Sequence, residues 1–272
     1  MKSLPVAVQV YSVRDDAEKD YLGTLKKLKA MGYDGVELAG TLHYSPEEMK
    51  AMINEAGLTA VSAHVSFGEF KAGIDATAKK YRTIGCDYVA LPFMPEDMRP
   101  NAGNFAATIE EIETIGKACA KYGVALSYHN HDFEFLKMDD GTYCLDYIYK
   151  SVPPELLKVQ PDVCWIHVGG VDPADYIRKY PGRIDMVHLK DYLGVKAKKM
   201  YAFVGEKDNS VSPGDAFRFK PVGGGNVDMP SVLEASLAVG AKWVIVEQDN
   251  SLSGAMLDEV KASRDYLKSL GW

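Results

Sequence analysis

The sequence predicts an α/β protein folded as a single-domain (β/α)8 TIM barrel over residues 1–272, on three observations. Short apolar runs alternate with amphipathic stretches eight times along the chain. Gly32, Gly57, Gly85, Gly123 and Gly240 each fall between a helical stretch and the next apolar run, where a left-handed cap turns the chain back toward a sheet. Polar residues capable of chemistry gather where the strands end, which in a parallel barrel is the catalytic rim. No Gly-x-Gly-x-x-Gly follows the first strand, so the usual reason to prefer an open doubly wound sheet is missing.

Residues 5–10 are the first strand, ending near Gln9 and Tyr11, and 15–31 form an amphipathic helix with Leu22, Leu25 and Leu28 on one face. The second strand, 33–38, carries Glu37. Ser45, Pro46, Glu47 and Glu48 then make a helix start: a capping serine, proline in the first turn and acids at the positive end of the dipole. The unit repeats as strand 58–65 with His64, helix 69–84, strand 86–93, helix 103–122 and the strand opening at Val124. A sixth strand, 158–166, contains Asp162; helix 173–180 follows; the seventh strand, 184–189, contains His188 and leads to Lys190 and Asp191. Residues 192–226 show no period and form a long excursion, a place for a lid or binding surface. Gly223, Gly224 and Gly225 lie within it and read as a flexible hinge, since no strand-turn-helix setting surrounds them. Helix 230–239, strand 243–246 ending in Glu247, Gln248 and Asp249, and helix 255–270 complete the chain.

With 272 residues, 47% hydrophobic, the chain can bury one large core. A net charge of −7 and an isoelectric point near 5.4 argue against a nucleic-acid partner, which calls for a basic stripe. Cys86, Cys119, Cys144 and Cys164 form no Cys-x-x-Cys pair and read as reduced thiols of a cytoplasmic protein. The first residues lack a long apolar leader, and no run reaches transmembrane length, so no membrane partner is expected.

The densest chemistry lies in 128–135, Tyr-His-Asn-His-Asp-Phe-Glu-Phe. Strand five supplies His129 and His131, strand six Asp162, strand seven His188 and strand eight Glu247. Adjacent strands lie about 4.8 Å apart, so these side chains can converge on one divalent ion. Nitrogen and oxygen donors without thiolate suit Mn²⁺, Mg²⁺, Co²⁺ or Zn²⁺. A lone barrel histidine is more often a satisfied core residue and a lone strand-end aspartate a helix cap; four neighbouring strands offering such groups call for a shared counter-charge.

The chain resembles the sugar phosphate isomerase/epimerase superfamily with the xylose-isomerase-like barrel, which also holds inosose dehydratases and the endonuclease IV type. The resemblance is carried by Val8-Gln9-Val10-Tyr11-Ser12-Val13-Arg14-Asp15, Gly35-Val36-Glu37-Leu38, Ser62-Ala63-His64, the 128–135 run, Asp162 with Trp165, Val187-His188-Leu189-Lys190-Asp191 and Val246-Glu247. In the epimerases the metal is held by Glu, Asp, His and Glu from strands five to eight, and the two glutamates also move the proton. Asp162, His188 and Glu247 match the last three. The first glutamate is replaced within His129-Asn130-His131, leaving open whether His129 or His131 is the fourth ligand, and whether His131 or Glu134 takes the second proton-transfer role.

The resemblance implies a metal-dependent isomerase or epimerase of a keto-sugar or keto-polyol working through a metal-stabilised enediolate, with Glu247 removing the proton. Lys190, His64 and Glu37 would orient hydroxyls, and Trp165, Tyr11 and Phe133 would wall the sugar. Loss of a β-hydroxyl or glycosyl group from the same intermediate would make the enzyme a dehydratase or lyase. A non-catalytic sugar-binding subunit is the third reading, and it predicts no bound metal. Cleavage of damaged DNA needs a multinuclear site, and Val163-Cys164-Trp165 supplies no histidine three residues after Asp162. The resemblance also implies a homo-oligomer paired through rim loops, with the excursion after Asp191 as the candidate contact.

Overall fold

A computed structural model describes residues 3–196, 217–251 and 254–272. Eight parallel strands form the barrel wall: β1 (Val6–Gln9), β2 (Gly35–Ala39), β3 (Thr59–His64), β4 (Tyr88–Leu91), β5 (Ala125–His129), β6 (Lys158–Gln160), β7 (Met186–Leu189) and, last in the chain, β10 (Trp243–Val246). They pair in the order β6-β5-β4-β3-β2-β1-β10-β7. The ring closes between β6 and β7 through single parallel bridges, Val159 with Ile184 and Asp162 with His188. A two-stranded antiparallel ribbon, β8 (Asp191–Leu193) against β9 (Arg218–Lys220), rises from the rim after β7.

The helices are α1 (Arg14–Lys19), α2 (Tyr21–Met31), α3 (Pro46–Glu55), α4 (Phe67–Ala72), α5 (Ile74–Ile84), α6 (Phe105–Lys121), α7 (Cys144–Ser151), α8 (Val163–Val168), α9 (Pro173–Arg178), α10 (Met229–Ala238) and α11 (Met256–Ser269). The start of α3 forms as its sequence dictates: Glu48 N–H donates to Ser45 Oγ at 3.2 Å, and Ser45 N–H donates back to the Glu48 carboxylate at 2.8 Å. Gly32 and Gly85 end α2 and α5 with φ of 96° and 113°, the left-handed turn that a side chain would strain.

Several expectations need correction. Residues 69–84 are two helices, because the chain extends at Gly73 between α4 and α5. The sixth strand stops at Gln160, and Asp162 is the N-cap of α8, its Oδ1 accepting from Trp165 N–H at 3.0 Å. Helix α7 is additional to the expected elements. The excursion expected over 192–226 includes β9, while 197–216, with the oligomer contact expected there, lies outside the described residues. Nor is the glycine run a hinge: Gly223 and Gly225 N–H donate to Asp191 Oδ2 at 3.1 and 2.9 Å.

Two apolar layers hold this frame. Ala7, Val61, Tyr88, Met186 and Ile245 close the N-terminal end of the barrel interior, and the larger layer lies between strands and helices. Close packing there depends on small residues. A Cβ on Gly116 of α6 would lie 2.5 Å from the Leu156 carbonyl oxygen. Alanine improves helix propensity by about 1 kcal/mol, but the clash is with backbone that cannot rotate away, and overpacking costs about 1–3 kcal/mol. Gly116→Ala is therefore expected to lower the urea midpoint, and a raised midpoint would show that α6 slides freely on the 153–157 loop.

All four cysteines are buried and free. Among the described residues, no helix is long and apolar enough to cross a membrane.

Candidate metal centre and cavity

With the lower barrel filled, polar residues of the next layer face one another at the C-terminal end. Glu37 of β2 lies at the centre and is fully buried. Gln9 of β1 and Gln160 of β6 each donate an amide N–H to its carboxylate, at 2.8 and 2.7 Å. Nε2 of His64 and of His188 lie 3.0 and 2.7 Å from its Oε2. Burial alone would raise the Glu37 pKa, but the two imidazoles outweigh it and hold the group well below the usual carboxylate range. Nε2 of His188 faces Glu37, and Nδ1 is the nitrogen turned to Glu247, 3.0 Å from Oε2. A carboxylate behind a histidine in this way orients the ring toward a metal site.

His129, Asp162, His188 and Glu247 are all buried, and one donor atom from each lies within 4.8 Å of the others. His129 Nε2 is 3.6 Å from Asp162 Oδ2 and 3.9 Å from Glu247 Oε2. Asp162 divides its carboxylate: Oδ1 caps α8, while Oδ2 makes no hydrogen bond among the described residues and has the Lys190 ammonium at 3.3 Å. Two imidazoles and two carboxylates with an under-satisfied buried oxygen fit a divalent ion. The group contains His129, whereas His131 lies beside it on the wall of a cavity of about 520 Å³.

His64, Lys190 and Glu247 also line that cavity, as does Tyr11. Glu37 and Trp165, expected to meet a substrate, are fully buried and are not on its wall. Glu37 lies beneath the imidazoles. The Trp165 ring packs 5.1 Å from that of His131 and 5.6 Å from the Lys190 ammonium, backing both. Phe133 stands behind Phe93, which takes the wall position expected of it.

Sequence reasoning passed over Asp249 and Gln160. Each lies two residues from a recognised site residue, Glu247 and Asp162, and the period of two in an extended chain was the available signal. Lys190 pairs with Glu247 and Asp249, both at 2.9 Å, rather than with its neighbour Asp191.

Burial lowers the pKa of His129 and of His131 far below the usual imidazole value, so both are neutral, the form that binds a metal. Burial pulls His188 the same way, but Glu37 and Glu247 outweigh it and raise it to about 10. Glu247 is held well below its ordinary value because Lys190 and His188 overcome the effect of burial, which keeps it a carboxylate. For Lys190, Asp249, Glu247 and Asp162 likewise overcome burial and push it well above its ordinary value.

Glu134 lies behind the wall, accepting from Tyr128 O–H at 2.6 Å and from His131 N–H at 2.9 Å. Burial raises it from 4.5 to about 7, more than these two donors can reverse. Because the folded value is the higher one, the folded state holds the extra proton between these values. The contribution to stability is complete below the unfolded pKa and is lost as pH rises through about 7, on the order of 3 kcal/mol. Relative to Glu134→Gln, the native protein is expected to lose that much between pH 4.5 and pH 8 in urea titrations. Parallel pH profiles for the two proteins would show that folding leaves the Glu134 pKa where it is in the unfolded chain.

The sequence matches the family model described as xylose isomerase-like TIM barrel over residues 25–270. An inosose dehydratase of Geobacillus kaustophilus is 22% identical over 190 residues, covering 61% of this chain and 60% of the relative. One from Geobacillus thermodenitrificans is 26% identical over 163 residues, so this chain spans about half the length of such relatives: 59% of this chain aligns with 52% of that one. In structure, a sugar phosphate isomerase/epimerase from Parabacteroides distasonis superposes with a TM-score of 0.77 at 20% identity, covering 99% of this chain and 97% of that one. The IolI protein, whose crystal structure has a bound zinc atom, gives 0.70 at 14% identity, covering 98% of both chains. A barrel closed in this strand order and a family match over most of its length agree: the chain belongs to the xylose isomerase-like TIM barrel family.

Proposed function

We propose that this chain is a metal-dependent enzyme that removes the proton beside the carbonyl of an uncharged keto-sugar or keto-polyol. The observation that carries the reading is the convergence of His129, Asp162, His188 and Glu247 within 4.8 Å beside an open cavity. The zinc of the IolI protein supports a divalent ion there. Such an ion would supply Lewis-acid stabilisation of the substrate oxygen on which charge develops. Glu247, kept as a carboxylate and reaching the cavity, takes the proton. Lys190 and His64 on the wall bind hydroxyls, Glu37 holds His188 and His64 in place, and Tyr11 with Phe93 packs the carbon face.

Epimerisation, isomerisation and dehydration share this first step. Dehydration is favoured because, of the two carboxylates among the four donors, only Glu247 lines the cavity, with a neutral imidazole, His129, where the resemblance would place the epimerases' other glutamate. An elimination needs one base and a group that stabilises the departing hydroxyl; His131, a neutral imidazole on the same cavity wall, would do so by hydrogen bonding. The inosose dehydratase relatives agree with this branch.

The wall also indicates charge. Its one ammonium among the described residues, Lys190, is already shared by Asp162, Glu247 and Asp249, and its Glu69 pairs with Lys80 at 2.6 Å. Among the described residues no arginine lines it. A phosphate ester would meet no uncommitted cation there among the described residues, so free ketoses and keto-inositols are expected to be processed at least about tenfold better than phosphorylated ones. The test is incubation with Mn²⁺, Co²⁺ or Zn²⁺ in D2O, following carbon-bound deuterium and product by NMR. Exchange or water loss with the uncharged compounds supports the reading; no exchange across the panel in metal-loaded protein sinks it.

A further inference from the structure

We propose that Lys190 is a built-in competitor of the metal ion: its ammonium bridges the two carboxylates the ion requires, and Asp249 receives it when the ion enters. The inference rests on the metal-dependent reading above, and the geometry of this chain adds the competition.

Lys190 Nζ lies 3.3 Å from Asp162 Oδ2 and 2.9 Å from Glu247 Oε2. The same two oxygens are those nearest His129 Nε2, at 3.6 and 3.9 Å. An ion drawn to the four converging donors would therefore share both oxygens with the ammonium. The side chain of Lys190 is 2% exposed, so water does little to screen the repulsion between the two cations. The third partner, Asp249 Oδ2 at 2.9 Å, is not among the converging donors, so its charge is available to the ammonium without loss to the ion. Trp165 and Phe219 present their rings to the ammonium at 5.6 and 5.7 Å and limit it to a short swing between these carboxylates.

The arrangement selects for charge. Before the ion enters, Lys190 neutralises two buried carboxylates that would otherwise repel each other. A monovalent ion offers them nothing that the ammonium does not. A divalent ion would, and with Asp162 and Glu247 given to it the ammonium would rest on Asp249, at the cavity wall, where a substrate oxygen can reach it.

The opposite role is that Lys190 holds the donors in register for the ion, and the two roles predict opposite signs. Titration calorimetry with Mn²⁺ alone would compare the native protein, Lys190→Met and Asp249→Asn, with thermal melting of each. Competition predicts that Lys190→Met binds Mn²⁺ tighter by on the order of tenfold, and that its melting temperature rises more on adding Mn²⁺ than the native one does. Asp249→Asn returns the ammonium wholly to Asp162 and Glu247 and is expected to bind Mn²⁺ weaker by about tenfold. Binding by Lys190→Met with none by the native protein would be the same result in its extreme form. Equal or weaker binding by a folded Lys190→Met overturns the proposal while leaving the metal-dependent reading intact; should that variant not fold, unchanged binding by Asp249→Asn overturns it. Absence of binding in every variant overturns both.

Discussion

Glu247→Gln is expected to lower substrate proton exchange by about a thousandfold or more, the range in which a positioned general base acts. Glutamine keeps an oxygen for an ion but cannot accept the proton, so metal content measured by elemental analysis should fall much less than the rate. His188→Ala makes the complementary case. It removes a donor and also the Nε2 contact with Glu37, leaving that carboxylate buried with a partner missing, so metal content is expected to drop from about one ion per chain to near zero. Activity lost with metal retained in Glu247→Gln, and both lost in His188→Ala, separates the base from the ligand set. A Glu247→Gln protein that still exchanges protons would remove the base from the mechanism and favour a barrel in which another wall group, His131 or Asp249, takes the proton. If the native protein showed neither metal nor exchange, the sugar-binding scaffold would be the better account.

What made the barrel legible was local. Alternation of apolar runs with amphipathic stretches, and the glycines closing α2 and α5, are properties of a few consecutive residues. The start of α3 was legible for the same reason, since its capping box spans only Ser45 to Glu48. Features set by distant partners were not. The α7 helix begins at Cys144, and its N-cap, Tyr143, makes no side-chain cap hydrogen bond, so no capping signal marks its start. The ribbon pairs Asp191 with Lys220, Tyr192 with Phe219 and Leu193 with Arg218, across a stretch that has no period of its own. In the site, the four residues brought within 4.8 Å could be named because each lies at or next to the C-terminal end of a strand. The depth of a polar residue could not be read in that way. Glu37 has the composition of a wall residue, and only the pairing of β1 with β2, which sets Glu37 against Gln9, places it under the imidazoles.

Asp191 shows the same limit at a place with a large energetic consequence, and Asp191→Ala is expected to destabilise the protein by about 4 kcal/mol in urea titrations. The carboxylate is fully buried and accepts four backbone N–H groups: Tyr192 and Val227 on Oδ1 at 2.9 and 3.1 Å, Gly223 and Gly225 on Oδ2 at 3.1 and 2.9 Å. These bonds tie the end of β7 to the chain leading into α10. Removing the acceptor strands four donors in a region that water reaches poorly. The glycines are what allow the wrap, since a Cβ on Gly225 would lie 2.2 Å from Asp191 Oδ1 and 2.3 Å from the Tyr192 carbonyl oxygen. Asp191→Asn is the sharper variant. Its one carbonyl oxygen can serve two of the N–H groups, but its amide nitrogen, itself a donor, then faces the other two, so a loss close to that of alanine is expected. If asparagine instead stayed within about 0.5 kcal/mol of the native protein, rearranged backbone or water would be satisfying those donors, and the cradle would not be what fixes the loop. Lys190 precedes Asp191 directly, so loss of the cradle is expected to loosen the ammonium from Asp162 and Glu247 as well. The altered Mn²⁺ affinity of Asp191→Asn, measured under conditions where it remains folded, would then show that the glycine run and the metal centre are parts of one mechanical unit.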